Sequence, residues 1–245
     1  MENKNSIWIS ILVILIILLG LSFISSRNYK PSKNLIIEDT YELKDIIINS
    51  NASNINIKES NDQIIKVKIY GDDKKTSIED YDKLTIKSNI KECKFFCLKN
   101  EIASIEISLP KDYDNKLTIK NDYGNVNVGN FENSDFDIEV DAGKVTIDEV
   151  KNIKLDVDAG DIKIGKINNK LNIEADAGNV IINEINLNEN STIDIDAGNL
   201  EIGNTNEIYI DPKIDLGAID INNNYRKSDI ELKINIDAGN ISIKN

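Results

Sequence analysis

The sequence predicts an all-β fold: a β-solenoid of stacked parallel strand coils that follows an N-terminal transmembrane helix. Seven glycines recur at intervals of 17 to 22 residues in the C-terminal half, and five of them close an Asp-Ala-Gly triplet. Aliphatic and polar residues alternate on both sides of these triplets. A period of about 19 residues with a two-residue apolar alternation is typical of stacked β-strand coils. The glycines are Gly124, Gly143, Gly160, Gly178, Gly198, Gly217 and Gly239.

A transmembrane anchor is predicted at residues 7–24, after a short N-terminal tail at 1–6. The segment is uncharged over 18 residues, and as a helix it would span about 27 Å, enough for a thin bilayer. A cleaved signal peptide is the alternative, but the small-residue cleavage site at 22–26 is weak and the apolar run is long. We expect a single-pass protein of the cell membrane with an extracellular repeat domain. The count of flanking positive charges favours the opposite orientation.

The rest of the chain divides into a polar linker at 25–34 and a β-strand-repeat domain at 35–245. The first part of that domain, 35–115, is rich in β-branched residues but irregular, and residues 49–54 resemble a degenerate copy of the later turns. The second part, 116–245, carries the regular Asp-Ala-Gly repeats.

Within the regular repeats, the alternation assigns each side chain to a face. Ile153, Leu155 and Val157 share one face of a strand, and the intervening polar residues share the other. At the position five residues after each of the seven turn glycines, six of the seven residues are Gly, Asn or Asp. Each coil is therefore expected to bend a second time there. Seven coils would build a stack of roughly 34 Å. An antiparallel sandwich is the alternative fold; one repeated turn motif favours the solenoid.

Composition excludes several functions. The formal net charge of −13 disfavours nucleic-acid binding. The chain has no His, which removes the commonest general base and zinc ligand. Cys93 and Cys97 match no redox or zinc motif, and a disulfide between them would require a tight turn at 94–96.

Two acidic columns are the best candidates for a binding site. Stacked rungs would place like charges about 4.8 Å apart, where neighbours repel by about 0.9 kcal/mol even at the dielectric constant of water. One hypothesis is that each triplet Asp accepts hydrogen bonds from the amides of its own turn. The other is a row of Ca²⁺ ions between rungs. The columns are Asp141, Asp158, Asp176, Asp196 and Asp237, and Glu139, Asp156, Glu174, Asp194 and Asn235.

No enzyme is predicted. The repeats are short and nearly identical, so no carboxylate is singled out for catalysis, and no nucleophile elbow, phosphate-binding loop or dinucleotide fingerprint occurs. We therefore assign no catalytic, cofactor-binding or metal-binding residue. A polysaccharide-acting enzyme is the least favoured reading.

The last repeat strand, Ile241–Ile243, ends close to the last residue of the sequence. An uncovered solenoid end exposes unpaired strand edges. We expect this end either to self-associate or to dock a partner, unless Lys244 blunts a short edge.

Three segments together resemble a known family: Ile105–Pro110, the run 117–128, and the repeated Asp-Ala-Gly followed by alternating aliphatic residues. They resemble the bacterial putative-adhesin domains of unknown function, which include LiaG-like membrane-anchored proteins of envelope-stress operons. The resemblance covers about residues 40–245 and implies a role in the cell envelope, without catalytic residues. We expect an interaction or envelope-stress sensing module whose partner is an envelope protein or wall polymer. The alternative is a passive adhesin or spacer, which Ca²⁺ could stabilise.

Overall fold

The structure, a computed structural model, describes residues 30–89 and 101–244. The predicted anchor at 7–24 and the two cysteines lie outside these residues. Within the described ranges no helix is long and apolar enough to cross a bilayer. One short 3₁₀ turn, Asp73–Lys75, accompanies the strands. The strands are β1 (Lys30–Pro31), β2 (Leu35–Tyr41), β3 (Ile46–Ser50), β4 (Ser53–Ser60), β5 (Ile65–Tyr70), β6 (Thr76–Asp80), β7 (Leu84–Ser88), β8 (Glu101–Pro110), β9 (Lys116–Tyr123), β10 (Val126–Ala142), β11 (Val145–Ala159), β12 (Ile162–Ala177), β13 (Val180–Ile185), β14 (Ser191–Thr205), β15 (Tyr209–Ile221) and β16 (Glu231–Ile243).

The regular half is a stack of parallel coils. Val145 of β11 pairs with Val126 of β10 on one side and with Ile162 of β12 on the other, and the same register continues into β13 and β14. Equivalent residues of successive repeats therefore lie directly above one another. This confirms the stacked parallel coils, and the alternative antiparallel sandwich is wrong, because hairpins would have reversed the direction of alternate strands.

The repeat length varies because one part of the coil tolerates insertions. The ladder between β11 and β12 is continuous except where Val150 and Asn152 pair with Ile167 and Lys170, which adds one residue to β12. A similar shift follows Phe131 in β10. The Asp-Ala-Gly corner keeps its length in every coil, so variation in the period is absorbed away from it.

Two further coils come from the irregular N-terminal part. β3 and β4 stack on the first regular coil, with Ile46 beside Leu117 and Ile55 beside Val126. The turn between them, at 51–52, occupies the place of a glycine corner, which confirms residues 49–54 as a degenerate repeat. β7 and β8 form the next coil outward. Nine coils result, and eight spacings of about 4.8 Å give a stack of about 38 Å.

The N-terminal end of the stack is covered by strands that pair in antiparallel fashion. β5 pairs antiparallel with β8, β2 pairs antiparallel with β5, and β6 pairs antiparallel with β7. Asn34 exchanges backbone and side-chain hydrogen bonds with Gly71, at 2.9 and 3.2 Å. The final residues of the predicted linker are therefore attached to this end.

At the C-terminal end, the last two coils lie in reverse chain order. β16 pairs with β14 on one side and with β15 on the other, so β15 is the outermost strand. The prediction that the last repeat strand forms the open end is therefore wrong. The loop after β15 fits this order, because the side chain of Asn224 occupies the backbone groups of Ile210 on the outer edge, where a further coil would have to pair.

One apolar core runs through the stack. Its members are the inward positions predicted by the alternation, including Ile153, Leu155 and Val157, which are at most 3 % exposed. Burying each such side chain contributes about 1.5–3 kcal/mol relative to leaving it in water. Polar residues replace aliphatic ones near the first corner, where Ser50, Ser53 and Asn121 are buried.

Candidate functional site

The repeated corner depends on the absence of a side chain at each glycine. A Cβ added to Gly160 would lie 1.7 Å from the carbonyl oxygen of Gly143, and one added to Gly178 would lie 1.9 Å from that of Gly160. The same contact repeats through Gly198, Gly239 and Gly217. We call this line of stacked glycines the glycine column. Close backbone approach, more than positive φ, is thus the physical reason for the period found in the sequence.

Backbone hydrogen bonds continue around the corner. The N–H of Gly143 donates to the carbonyl oxygen of Ala159 at 3.1 Å, and that of Gly160 donates to Ala177 at 2.9 Å. The ladder therefore does not break where the chain bends. This keeps the rungs evenly spaced on both sides of the corner and fixes the spacing of the side chains beside it.

The residue after each glycine forms a second line, the asparagine column, which the sequence reasoning missed. The Oδ1 atom of Asn179 accepts from Nδ2 of Asn199 at 3.0 Å, and Oδ1 of Asn199 accepts from Nδ2 of Asn240 at 2.9 Å. Oδ1 of Asn240 then accepts from the backbone N–H of Ala218 at 3.1 Å. The signal was present in the sequence, because Asn or Asp follows five of the seven glycines directly, with Lys144 and Ala218 as the exceptions. The column consists of Asn54, Asn125, Asp161, Asn179, Asn199 and Asn240.

On the other side of the corner lies the aspartate column, two residues before each glycine. The five triplet aspartates predicted from the sequence are brought together, because the residues that flank each of them pair across adjacent rungs. The structure adds Asp122 at one end of the column and Asp215 at the other. Tyr123 and Leu216 stand in place of the triplet alanine there, so the Asp-Ala-Gly motif does not mark these two positions in the sequence. In stack order the column is Asp122, Asp141, Asp158, Asp176, Asp196, Asp237 and Asp215.

The predicted Asx turns are not formed. All seven side chains are exposed. Among the described residues, the six from Asp122 to Asp237 have no side-chain hydrogen bond or ion pair, and only Asp215 has a contact, with Lys213 at 3.8 Å. The hypothesis fails because the Asp still belongs to the extended strand, with its side chain outward, and the bend begins two residues later. The side chain of the residue after the glycine accepts the hydrogen bonds from backbone N–H groups instead.

The electrostatics of the aspartate column reflect its spacing. Partial desolvation, followed by the charges of Asp122 and Asp158, raises the pKa of Asp141. Partial desolvation and the charges of Asp176 and Asp156 raise the pKa of Asp158. Neighbouring rungs therefore repel one another as the spacing predicted, and the column presents concentrated negative charge to the solvent.

The second predicted column, four residues before each glycine, is partly neutralised. Its four acids are stacked in consecutive rungs, but Lys120 pairs with Glu139 at one end and Asn235 donates to Asp194 at the other. Beyond Asn235, the register continues to Lys213. Its charge is therefore balanced at both ends, in contrast to the aspartate column.

No metal centre is formed by either column in the described part of the chain, where no three acidic side chains converge in a geometry that could hold a cation. The columns are linear, so each carboxylate has like neighbours on two sides and no third ligand from another direction. Several oxygen ligands around one point are what Ca²⁺ requires. Because the rungs repeat, every carboxylate of the column lies in a similar environment. General acid–base catalysis needs two carboxyl groups whose environments shift their pKa values apart, and this arrangement does not provide them.

A family model described as Toastrack DUF4097 matches residues 43–245. The chain belongs to the Toastrack family. This match covers both the regular coils and the N-terminal coils, and it agrees with the predicted relationship to adhesin-like domains of unknown function. No curated protein matches the chain.

Solved structures with a similar fold include three bacterial proteins described as adhesins. A putative adhesin from Parabacteroides merdae is 12% identical, with 87% of this chain and 92% of that chain covered and a TM-score of 0.45. One from Bacteroides fragilis is 17% identical, with 87% and 98% covered and a TM-score of 0.42. A putative cell adhesion protein from Clostridium sporogenes is 16% identical, with 85% and 98% covered and a TM-score of 0.35. These likenesses assign no function to the Toastrack domain described here.

Proposed function

We propose that this protein is a non-enzymatic, membrane-anchored interaction module of the cell envelope, which binds cationic polymers or peptides through the aspartate column. The observation that carries the proposal is the set of six exposed aspartates, Asp122 to Asp237 in stack order, without counter-charges in the described residues. A row of like charges raises the local concentration of oppositely charged ligands. Such a ligand would relieve the repulsion between rungs.

The regularity of the column matters as much as its charge. Rungs about 4.8 Å apart present carboxylates at a fixed interval, so an extended polycation could make several contacts at once. Other outward columns are interrupted by lysines: Lys166 lies 3.6 Å from Glu149 and 3.5 Å from Glu184 in neighbouring rungs. The aspartate column is therefore the surface best suited to a cationic partner.

The binding test uses the full-length protein in detergent micelles and a fluorescent oligolysine peptide as the probe. The test variant combines Asp141→Asn, Asp158→Asn, Asp176→Asn and Asp196→Asn. The matched control also removes four exposed acids, which lie outside the column and make no ion pair among described residues. The control substitutions are Asp73→Asn, Asp82→Asn, Asp114→Asn and Asp229→Asn.

We expect the column variant to bind at least tenfold more weakly than wild type, with binding that falls as salt is raised. The control should stay within about twofold, although its net charge is the same. Equal weakening of both variants would mean that only net charge matters and would overturn the proposal. If only the column variant binds more weakly, crosslinking in native membranes is the next experiment. The natural partner is the material that crosslinks to the full-length wild type and to the control variant but not to the column variant.

The extracellular location is part of the proposal and rests on the uncharged segment 7–24. Protease treatment of intact cells should digest the Toastrack domain, while a cytoplasmic marker stays intact. Protection of the domain until the cells are lysed would place it on the cytoplasmic side and remove wall polymers from the possible partners.

A passive rigid spacer is the second candidate. It is favoured by the backbone ladder that continues through the corners and by the asparagine column, which together link every rung from Asp161 to Ala218. A spacer would retain its role after neutralisation of the aspartate column. If crosslinking recovers the same material from wild type and column variant, the spacer is supported.

A further inference from the structure

The outer edge of β15 is open along only part of its length. The side chain of Asn224 donates to the carbonyl oxygen of Ile210 at 2.8 Å and accepts from its N–H at 3.0 Å. Backbone groups of alternate strand residues point to the same edge, so those of Pro212 and Ile214 also face away from β16. At the corner the direction changes, and Leu216 takes the place of Ala159 and Ala177, whose carbonyl oxygens accept from the preceding rung. Pro212 has no N–H to offer. The free groups on this segment of the edge are thus the N–H of Ile214 and the carbonyl oxygens of Pro212 and Ile214.

Apolar side chains lie beside this open segment. Leu216 is 72% exposed and Ile219 is 43% exposed, whereas Ile241, which pairs with Ile219 in the adjacent rung, is 1% exposed. Tyr225, on the loop that follows β15, is 40% exposed. An outermost coil with a purely structural edge would be expected to carry polar residues here.

The charges around Ile214 are self-complementary. Lys213 and Asp215 flank it, and their side chains are 75% and 62% exposed. In an antiparallel pairing of two copies centred on Ile214, Lys213 of each copy lies opposite Asp215 of the other. Opposite charges directly across an antiparallel pair stabilise it. In the same register the N–H and the carbonyl oxygen of Ile214 in one copy face those of Ile214 in the other, so the two residues can exchange a pair of backbone hydrogen bonds.

The other end of the stack does not offer a matching surface for head-to-tail growth. It ends in β2, which runs antiparallel to its neighbour, has a register irregularity between Leu35 and Ile37, and carries Glu38 and Asp39. Irregularity and charge are common means of preventing edge pairing. Contact between two like ends is isologous and closes after two copies.

We propose that β15 pairs antiparallel with β15 of a second copy, centred on Ile214, to form a closed end-to-end dimer. The contact is short, with few free backbone groups and three exposed apolar side chains. It belongs to the class of small, weak interfaces, with a Kd on the order of micromolar.

Charge reversal tests the proposed register directly. The association of full-length protein in detergent micelles is measured by sedimentation over a range of protein concentrations. Lys213→Glu and Asp215→Lys should each raise the dimer Kd at least tenfold, because each places like charges opposite one another. The double variant K213E/D215K restores opposite charges in the swapped arrangement and should recover the Kd to within about threefold.

Two further variants separate this contact from other associations. Leu216→Lys should yield monomers. Because this side chain is 72% exposed, the substitution should leave the fold intact, and an unchanged thermal melt checks this. Leu35→Lys, on edge strand β2, should leave the dimer intact. The proposal would be overturned if the wild-type protein remained monomeric at about 100 μM, or if the dimer Kd did not change in the β15 variants. It would also be overturned if the double variant did not recover the dimer, or if Leu35→Lys disrupted the dimer as strongly as Leu216→Lys.

Discussion

At its N-terminal end the stack is closed by antiparallel pairings, in which β5 and β6 run opposite to the coils and β2 runs opposite to β5. At its C-terminal end β15 follows the direction of the coils it covers. Both ends nevertheless share one feature, because the chain doubles back at each. The coil of β3 and β4 lies inside that of β7 and β8, and β16 lies inside β15. Chain order and stack order therefore agree only in the middle of the molecule.

The difference between the ends shows what an interior coil needs. Most interior coils have an Asn or Asp directly after the corner, whose side chain accepts from the next rung; Lys144 is an exception and, like Ala218, only donates its backbone N–H to the rung before it. Asn240 bonds in both directions, whereas Ala218 ends the asparagine column. At the first corner Ser53 replaces the glycine, and its hydroxyl lies 2.5 Å from that of Ser50 in a buried polar cluster.

The largest expected effect comes from giving an interior corner a side chain. Gly160→Ala would place Cβ against a backbone carbonyl that neighbouring rungs hold in place. We expect a loss of more than about 4 kcal/mol of unfolding free energy, seen as loss of the folded protein or a large fall in Tm.

Gly71→Ala is the matched control for this substitution. The added Cβ would lie 3.5 Å from that of Ala103, which is ordinary contact, so the Tm should hardly change. If both variants melt alike, close approach at the glycine column is not what requires glycine.

The asparagine column should contribute less, in smaller steps. Asn199→Ala removes side-chain hydrogen bonds to Asn179 and from Asn240, at 3.0 and 2.9 Å. We expect a loss of about 1 kcal/mol and a fall in Tm of about 2–4 °C. Asn127→Ala, at an exposed site without a side-chain hydrogen bond among the described residues, should melt like wild type.

The N-terminal half should respond to a different substitution, because its coils are joined by Tyr113. The hydroxyl of this buried side chain donates to the carbonyl oxygen of Lys44 at 2.8 Å. Burial raises the pKa of Tyr113 far above its usual value, so the hydroxyl remains a donor at all ordinary pH values. Tyr113→Phe should cost about 1 kcal/mol in denaturant unfolding. An unchanged midpoint would show that the apolar ring alone joins these segments.

The smallest expected effect is a stabilisation with a defined dependence on pH. The pKa values of Asp141 and Asp158 are raised in the folded protein, so the folded state binds protons more tightly than the unfolded state, and stability falls as pH rises through the folded-state pKa values. The fourfold column variant should therefore melt slightly above wild type at pH 7 and low salt, by less than the change in Tm expected for Asn199→Ala.

The difference in Tm between this variant and wild type should shrink as pH falls through the raised pKa values toward 4, and it should also shrink at high salt. The off-column control variant should show a smaller gain at pH 7. A column variant that is less stable than wild type at low salt would mean that the carboxylates make stabilising contacts with a ligand or ion.

Much of the regular half could be predicted because its pattern is local. The two-residue alternation fixed which face of each strand is buried, as at Ile153, Leu155 and Val157, and the Asp-Ala-Gly triplet marked each corner. The ends of the aspartate column could not be found in this way. Asp122 and Asp215 lack the triplet alanine, and only the register of their neighbours places them in line.

The sequence also could not predict whether the side chain of the triplet aspartate accepts a hydrogen bond from a backbone amide. Asp, Asn and Ser favour turns in general, but whether a side chain reaches an amide depends on where the bend begins to within one residue. Here the bend begins after the alanine, so Asn199 rather than Asp196 receives the hydrogen bonds at its corner.

The sequence by itself determined the shape of one coil: its period, its register and its glycine corner, all of which follow from residues a few positions apart. Only the tertiary structure decided the order in which coils are stacked at the two ends. Coils of one pattern present nearly the same hydrogen-bonding edge, so that pattern cannot distinguish neighbours. The choice falls to contacts outside the repeat, such as the side chain of Asn224, which occupies the backbone groups of Ile210 on the outer edge of β15.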